Sequence, residues 1–217
     1  MQIHILNQQP SVLNRFIAEL RDKKIQKDPM RFRRNLERIG EVIAYEISKV
    51  LPAETIEVTT PLGMAVENVP SSDIVIASVL RAGIPLQTGV LNYFDRAGSA
   101  FISAYRKYTI EHEFDIHIEY ISTPSLTKKT VLLCDPMLAT GSSIELVYKA
   151  LLKYGKPDHV HIISAIASQA GVQYIREMLQ GESVTLWLGA VDEELNAKSY
   201  IVPGLGDAGD LAFGPKL

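Results

Sequence analysis

The run Val131-Leu132-Leu133-Cys134-Asp135-Pro136-Met137-Leu138-Ala139-Thr140-Gly141-Ser142-Ser143 joins an apolar stretch, a carboxylate and a loop of small, hydroxyl-rich residues. The pattern predicts a buried strand ending on Asp135 and a loop entering a helix, whose apolar face is spelled by Ile144, Val147, Tyr148, Leu151 and Leu152. Ser142 and Glu145 have the spacing of a capping box, and Gly155 suits a helix stop. A helix start offers unpaired N–H groups and the positive end of the dipole, a natural seat for phosphate. Thr140, Ser142 and Ser143 add hydroxyl donors, and Gly141 permits close approach or positive φ. The lysine of a GxxxxGK[ST] loop is missing, so this is not a nucleotide P-loop of that kind. A carboxylate at a strand end pairs with sugar hydroxyls in dinucleotide folds. Taken together, the segment suits a ribose 5-phosphate. A helix start with no ligand is the plainer reading, and the length of the pattern argues against it.

Two further places carry chemistry at the ends of apolar runs. In Val79-Leu80-Arg81-Ala82-Gly83-Ile84-Pro85 an arginine fork stands beside small residues that let a phosphate approach, and Pro85 suits an early helical position. Arg-Ala-Gly alone is a weak motif, more often a surface arginine at a turn. In Ala104-Tyr105-Arg106-Lys107 a second arginine follows a strand-like run. Near the end, Ser199-Tyr200-Ile201-Val202-Pro203-Gly204-Leu205-Gly206-Asp207-Ala208-Gly209-Asp210 is too rich in glycine for a helix or a central strand. It is also too apolar for a disordered tail. An ordered loop offering backbone N–H and C=O groups to a small planar ligand fits better. His112 and His117 lack metal-ligand spacing and are read as arm residues, while Lys107 is more simply a solvated charge.

The elements that must position these residues are legible from periodicity. Phe32, Leu36, Ile39, Ile43, Ile47 and Val50 recur at three and four, predicting a helix between Pro29 and Pro52 within a helical segment 1–52. Arg31, Arg33, Arg34 and Arg38 lie on its other faces as a solvated or subunit-facing surface. Strand-like runs occupy 73–79, 100–105, 130–134, 159–165 and 184–188, with helical patterns between several of them. Near-continuous apolar strands separated by helices predict an α/β fold, a mostly parallel sheet flanked by helices. Residues 114–120 alternate strictly and predict one strand of a projecting β-hairpin arm over 107–123. In an open parallel sheet ligands gather at the carboxyl ends of the strands, where these motifs fall.

Bulk properties narrow the classes. With 217 residues, 47% hydrophobic and 22% charged, the chain suits one globular domain, and no linker divides it. A net charge of -3 gives no cationic excess for wrapping nucleic acid. No apolar run is long enough to span a bilayer, and the start lacks the pattern of a secretory signal. The single cysteine excludes an intrachain disulfide and fits a reducing compartment, so the expected location is cytoplasmic.

The apolar strand, acidic residue and Ala-Thr-Gly-Ser-Ser loop resemble the phosphoribosyl pyrophosphate (PRPP) motif of type I phosphoribosyltransferases. Most members carry two adjacent acidic residues there. Asp135-Pro136-Met137-Leu138-Ala139-Thr140-Gly141 is similar instead to the uracil-specific branch, which usually has a second glycine where Ser142 stands. Leu80-Arg81-Ala82-Gly83 resembles that family's pyrophosphate loop, and Tyr105-Arg106 its second PRPP arginine. After Arg106 the family's acidic stretch is replaced by Lys107-Tyr108-Thr109-Ile110-Glu111-His112. The segment from Tyr200 to Asp210 closely resembles the family's uracil loop, the most specific signal in the chain. The likeness runs from about Lys27 to Gly214.

The resemblance implies a uracil phosphoribosyltransferase chemistry, uracil and PRPP giving UMP and pyrophosphate in pyrimidine salvage. It implies PRPP at Arg81, Arg106, residues 135–143 and Asp207, and uracil at Ile201, Gly206, Asp207 and Ala208 within a base loop 199–214. Arg81, Arg106 and Asp207 would be catalytic, Mg²⁺ would arrive with PRPP and touch Asp207 at most through water, and the enzyme would be at least a homodimer. GTP activation, known in some relatives, is not legible in these residues. Three rivals remain: a transferase for another base, a nucleotide-sensing RNA regulator on the same fold, and a silent binding module. The Asp135-Pro136 pair and the base loop oppose the first, the net acidity the second, and the set Asp135, Arg81, Arg106 and Asp207 the third.

Overall fold

The computed structural model describes the backbone of residues 1–108 and 114–216, and the side chains outside 105–117. In chain order the elements are β1 (Gln2–Ile5), α1 (Val12–Arg21), α2 (Pro29–Ser48), β2 (Ala53–Thr60), β3 (Gly63–Pro70), β4 (Ile74–Leu80), α3 (Gly83–Leu91), β5 (Gly98–Tyr108) and β6 (Phe114–Ser122). The second half adds β7 (Thr130–Cys134), β8 (Met137–Leu138), α4 (Ser142–Leu151), β9 (His159–Ser168), α5 (Gln169–Met178), β10 (Val184–Asp192), β11 (Glu194–Leu195), β12 (Ile201–Val202) and α6 (Ala208–Phe213).

The apolar runs become the strands of one sheet, in the order β1-β10-β9-β7-β4-β5-β6, with β8 beside β9. Neighbours are parallel except β5 and β6, which pair antiparallel from Phe101↔Ser122 to Tyr108↔Phe114. Alternate residues of the central strands face different cores, which is why these runs show no polar alternation. Ile74, Ile76, Leu132 and Cys134 join α1, α2 and α3 on one side. Val75, Ala77, Val79, Val131 and Leu133 join α4 and α5 on the other. This is the expected α/β architecture.

The chain leaves β4 for β5 and β6, then returns to place β7 on the other flank of β4. That reversal makes a topological switch point at the carboxyl ends of β4 and β7, which carry Arg81 and Asp135, the place where open parallel sheets take ligands.

Helix α2 forms as its periodicity requires. Asp28 accepts from the N–H groups of Met30 and Arg31, Pro29 takes the first turn, and Phe32, Leu36, Ile39, Ile43 and Ile47 are buried. The arginines on its other faces have defined partners: Arg31 pairs with Glu19 and Arg34 with Glu37, while Arg38 donates to Asn35.

Two parts of the N-terminal third differ from expectation. Residues 2–5, placed in a helical segment 1–52, form the edge strand β1 beside β10, where His4 stacks on Trp187 at 4.0 Å. A strand of four residues is too short for periodicity to separate it from a helix start. Strands β2 and β3 form a separate antiparallel hairpin, mostly exposed, that no buried face marks in the sequence. His112 and the tip of the arm lie outside the described residues, as do the side chains of Lys107 and His117. Among the described residues no helix is long and apolar enough to cross a membrane.

Candidate functional site

Strand β7 delivers Asp135 at its carboxyl end. The Asp135 N–H donates to the Ile163 carbonyl and its own carbonyl accepts from Ser164 Oγ at 2.6 Å, fixing the backbone from β9. Asp135 Oδ1 accepts from the Met137 N–H at 3.3 Å. The Pro136 carbonyl accepts from both Ala165 and Ile166, and Met137-Leu138 pair with β9 as β8. The loop is therefore laid along a buried strand.

Beyond it, Ser168 Oγ donates to the Ala139 carbonyl at 2.6 Å while capping α5 through the Gly171 N–H. Gly141 has φ +88, and a Cβ there would lie 2.7 Å from Tyr174 Cδ1. Only glycine makes this turn against α5 without strain. Helix α4 then opens at Ser142 with Ser143 in its first turn, so the dipole and the first N–H groups sit at the loop's end. The expected capping box does not form. Gly141 holds the N-cap position, Ser142 is already helical, and Glu145 instead bonds Lys149 and accepts from Tyr174 Oη at 2.5 Å. Those bonds, Lys149 foremost, hold the Glu145 carboxyl below the usual range. Ser142 N–H lies 3.4 Å from Thr140 Oγ1, so the two hydroxyl residues order one another within the loop.

The second wall is the turn after β4. The Leu80–Arg81 peptide is cis. Arg81 Nη2 donates to Asp210 Oδ1 at 2.8 Å, and Arg81 Nε is buried with no partner among the described residues. Asp210 sits in the first turn of α6, whose N-cap is Asp207; Asp207 Oδ1 accepts from the Asp210 N–H at 3.0 Å. The glycine-rich segment thus contains a helix, contrary to expectation. It starts only at Ala208, after Gly204 and Gly206, where the Asp207 side chain accepts from the Asp210 N–H. At its far end Arg33 Nη1 donates to the Ala212 carbonyl at 2.7 Å.

The rest of the segment expected to hold the base packs back on the sheet. Ile201 is buried, and β12 pairs with β11, which follows β10. Gly206 is exposed at φ +97, Asp207 is half-buried, and Ala208 is buried. Arg106 lies in β5, three residues beyond Ser103, the partner of Leu80; its side chain is outside the described residues.

The structure therefore brings Arg81, Asp207 and Ala208 to one place, and sets Asp135 and residues 136–143 on the adjacent strand end. Sequence reading missed Asp210 and Ser168. Asp210 lay inside a motif already singled out, three residues after Asp207, and its helical spacing was the available signal. Ser168 left none, because its partner Ala139 is 29 positions away. An open groove of about 770 Å³, bordered by Asn7, Gln8, Gln169, Gln173 and Arg176, lies along α5 and contains none of these motif residues.

A family model described as uracil phosphoribosyltransferase matches residues 7–215. A protein of Porphyromonas gingivalis named uracil phosphoribosyltransferase is 56% identical over 217 residues, covering 100% of both chains. A solved structure from Aquifex aeolicus superposes with a TM-score of 0.86 at 32% identity, covering 98% of each chain. A hypoxanthine phosphoribosyltransferase from Staphylococcus aureus shares the fold, with a TM-score of 0.50 at 12% identity and 74% of each chain covered.

Proposed function

The chain belongs to the uracil phosphoribosyltransferase family, and we propose that it joins uracil to the ribose 5-phosphate of PRPP, giving UMP and pyrophosphate in pyrimidine salvage. The observation that carries the reading is the bond from Arg81 to Asp210, which fastens the pyrophosphate-type turn to the base-type loop beside the carboxyl ends of β4 and β7.

The 5-phosphate sits on the N–H groups and hydroxyls of 139–143, at the start of α4. Asp135 accepts from the ribose hydroxyls. The Arg81 and Arg106 guanidinium groups take the pyrophosphate oxygens. Uracil lies against Ile201, Gly206, Asp207 and Ala208, its O2 and O4 accepting from N–H groups and its N3–H donating to a carbonyl. Cytosine would set an amino group against an N–H and leave buried groups unpaired.

In the reaction N1 of uracil forms the bond to C1 of the ribose as the C1–O bond to pyrophosphate breaks. The electron pair leaves with pyrophosphate, whose charge the two arginines meet, and the N1 proton passes toward Asp207 or solvent. Most of the rate comes from positioning and preorganised charge.

Among the described residues no group of three or more His, Cys, Asp or Glu forms a metal cage. Asp207 and Asp210, hard oxygen donors at this edge, suit Mg²⁺ held mainly by substrate phosphates. When bound, Mg²⁺ supplies neutralisation of charge on the departing pyrophosphate. A homo-oligomer belongs to the same proposal, supported by the exposed apolar Leu62, Met64 and Val66 of the β2–β3 hairpin, and so does a cytoplasmic location, which the single free cysteine fits.

The test is product formation from PRPP and Mg²⁺ with uracil, cytosine, orotate, hypoxanthine or guanine. UMP from uracil alone is expected. Product from another base, or none from any, overturns the assignment.

A further inference from the structure

Arg21 ends α1, far from the base loop in sequence. Its guanidinium grips Asp192, the last residue of β10, with two prongs: Nη1 to Oδ2 and Nη2 to Oδ1, each 2.8 Å. The same Nη1 donates to the Gly204 carbonyl at 3.0 Å, and Asp192 Oδ2 accepts from the Gly204 N–H at 2.9 Å. One ion pair therefore holds both backbone polar groups of a single loop residue. Its environment favours a fixed geometry, since the Asp192 side chain is 8% exposed and that of Arg21 23%. Gly204 itself admits no alternative, having φ +53 and only 2.0 Å between a would-be Cβ and the Ile201 carbonyl oxygen. The clamped turn lies between Ile201 and Gly206-Asp207-Ala208.

We propose that Arg21 and Asp192 are positioning residues for base recognition, setting the path of 201–208 from the N-terminal segment and the end of β10. The inference rests on the uracil reading above. Recognition by backbone groups has no side chain that can swing to correct an error, so donors and acceptors must be held in place by their support. A short loop with two glycines, Gly204 and Gly206, has little stiffness of its own. The bidentate pair supplies it, and neither member of the pair is assigned to substrate. The phosphate loop is supported separately, by Ser164 and Ser168 of β9. Base selection therefore depends on Arg21 more directly than the 5-phosphate seat does, while pyrophosphate is reached only indirectly, through Asp207 and Asp210.

Removing Arg21 alone would leave a buried carboxylate unpaired and could unfold the protein. The test therefore uses Arg21→Lys, which keeps a charge but not the fork, and the double variant Arg21→Met/Asp192→Asn, which leaves no orphan charge. Amide hydrogen exchange of the ligand-free proteins is read first, with melting temperature as control. Exchange should quicken across 201–207 and stay unchanged in 135–143, more in the double variant than in Arg21→Lys. In the double variant KM for uracil should rise about tenfold or more, with a clearly smaller rise in KM for PRPP, because misplacement of this kind acts first on the group held. The uracil-over-cytosine preference should narrow with it. Unchanged exchange in 201–207, or an equal rise in both KM values, overturns the proposal. If the unaltered chain makes no UMP but exchange responds as expected, the uracil reading falls and the loop-positioning role stands.

Discussion

Arg81 and Asp210, 129 positions apart, are joined by an Nη2–Oδ1 contact of 2.8 Å that ties the turn after β4 to the first turn of α6. The acidic partner aims the arginine and leaves its Nε without a partner among the described residues. Replacing Asp210 by Ala should let Arg81 wander and raise KM for PRPP. Both side chains are about a third or more exposed, so the effect is roughly 1 kcal/mol, or about fivefold. Steady-state kinetics with PRPP varied checks this, and an unchanged or lower KM would mean that Asp210 competes with substrate for Arg81.

Asp207 caps α6, and Asn caps as well as Asp. Asp207→Asn should therefore keep the fold while removing the carboxylate proposed to take the N1 proton of uracil. Turnover should fall about a hundredfold or more, the range of a lost proton acceptor, with little change in PRPP binding. Turnover that stays level would show that the proton leaves by another route.

Gly141→Ala places a side chain at φ +88 against Tyr174. The backbone penalty alone is about 1–2 kcal/mol, and the loop must shift to relieve the contact. UMP affinity, read by calorimetry, should drop while the preference for uracil over cytosine holds. A lost preference would mean that the phosphate and base loops are coupled.

Acid should destabilise the protein in two stages. His161 is buried and accepts at Nδ1 from Trp187 Nε1, and burial takes its pKa from 6.5 to about 3. The unfolded chain therefore binds a proton that the folded chain refuses, so stability is full above pH 6.5 and falls toward about 3. Glu19 is held at about 2, against 4.5, chiefly by its bond from Arg31 and then by Asn35. Its contribution is present above pH 4.5 and is lost toward about 2. The melting temperature should follow both stages. His161→Asn, which keeps an acceptor for Trp187, should flatten the decline between pH 6.5 and 4.5, and an unaltered slope there would exclude His161 as its source.

Elements marked by dense local pattern were legible before any coordinates. The central strands follow from β-branched runs such as Ile74-Val75-Ile76, and α2 from its apolar spacing, because burial on two faces or on one stripe constrains composition directly. The turns at Ala139–Gly141 and Pro203–Gly206 were also legible, because glycine, proline and hydroxyl residues mark breaks in regular structure, while β8 and α6 beside them were not. The β2–β3 hairpin was not, since its mostly exposed strands have no buried face to set a pattern.

Sequence alone thus determined that the candidate segments at Arg81 and Asp135 follow buried strands. Tertiary structure decided what holds them. Ser168 on the Ala139 carbonyl, Asp210 on Arg81, and Arg21 with Asp192 on Gly204 are each a contact between residues distant in the chain. Such partners leave no local period or spacing, because what brings them together is the strand order β10-β9-β7-β4, which gathers the ends of separate elements along one edge of the sheet.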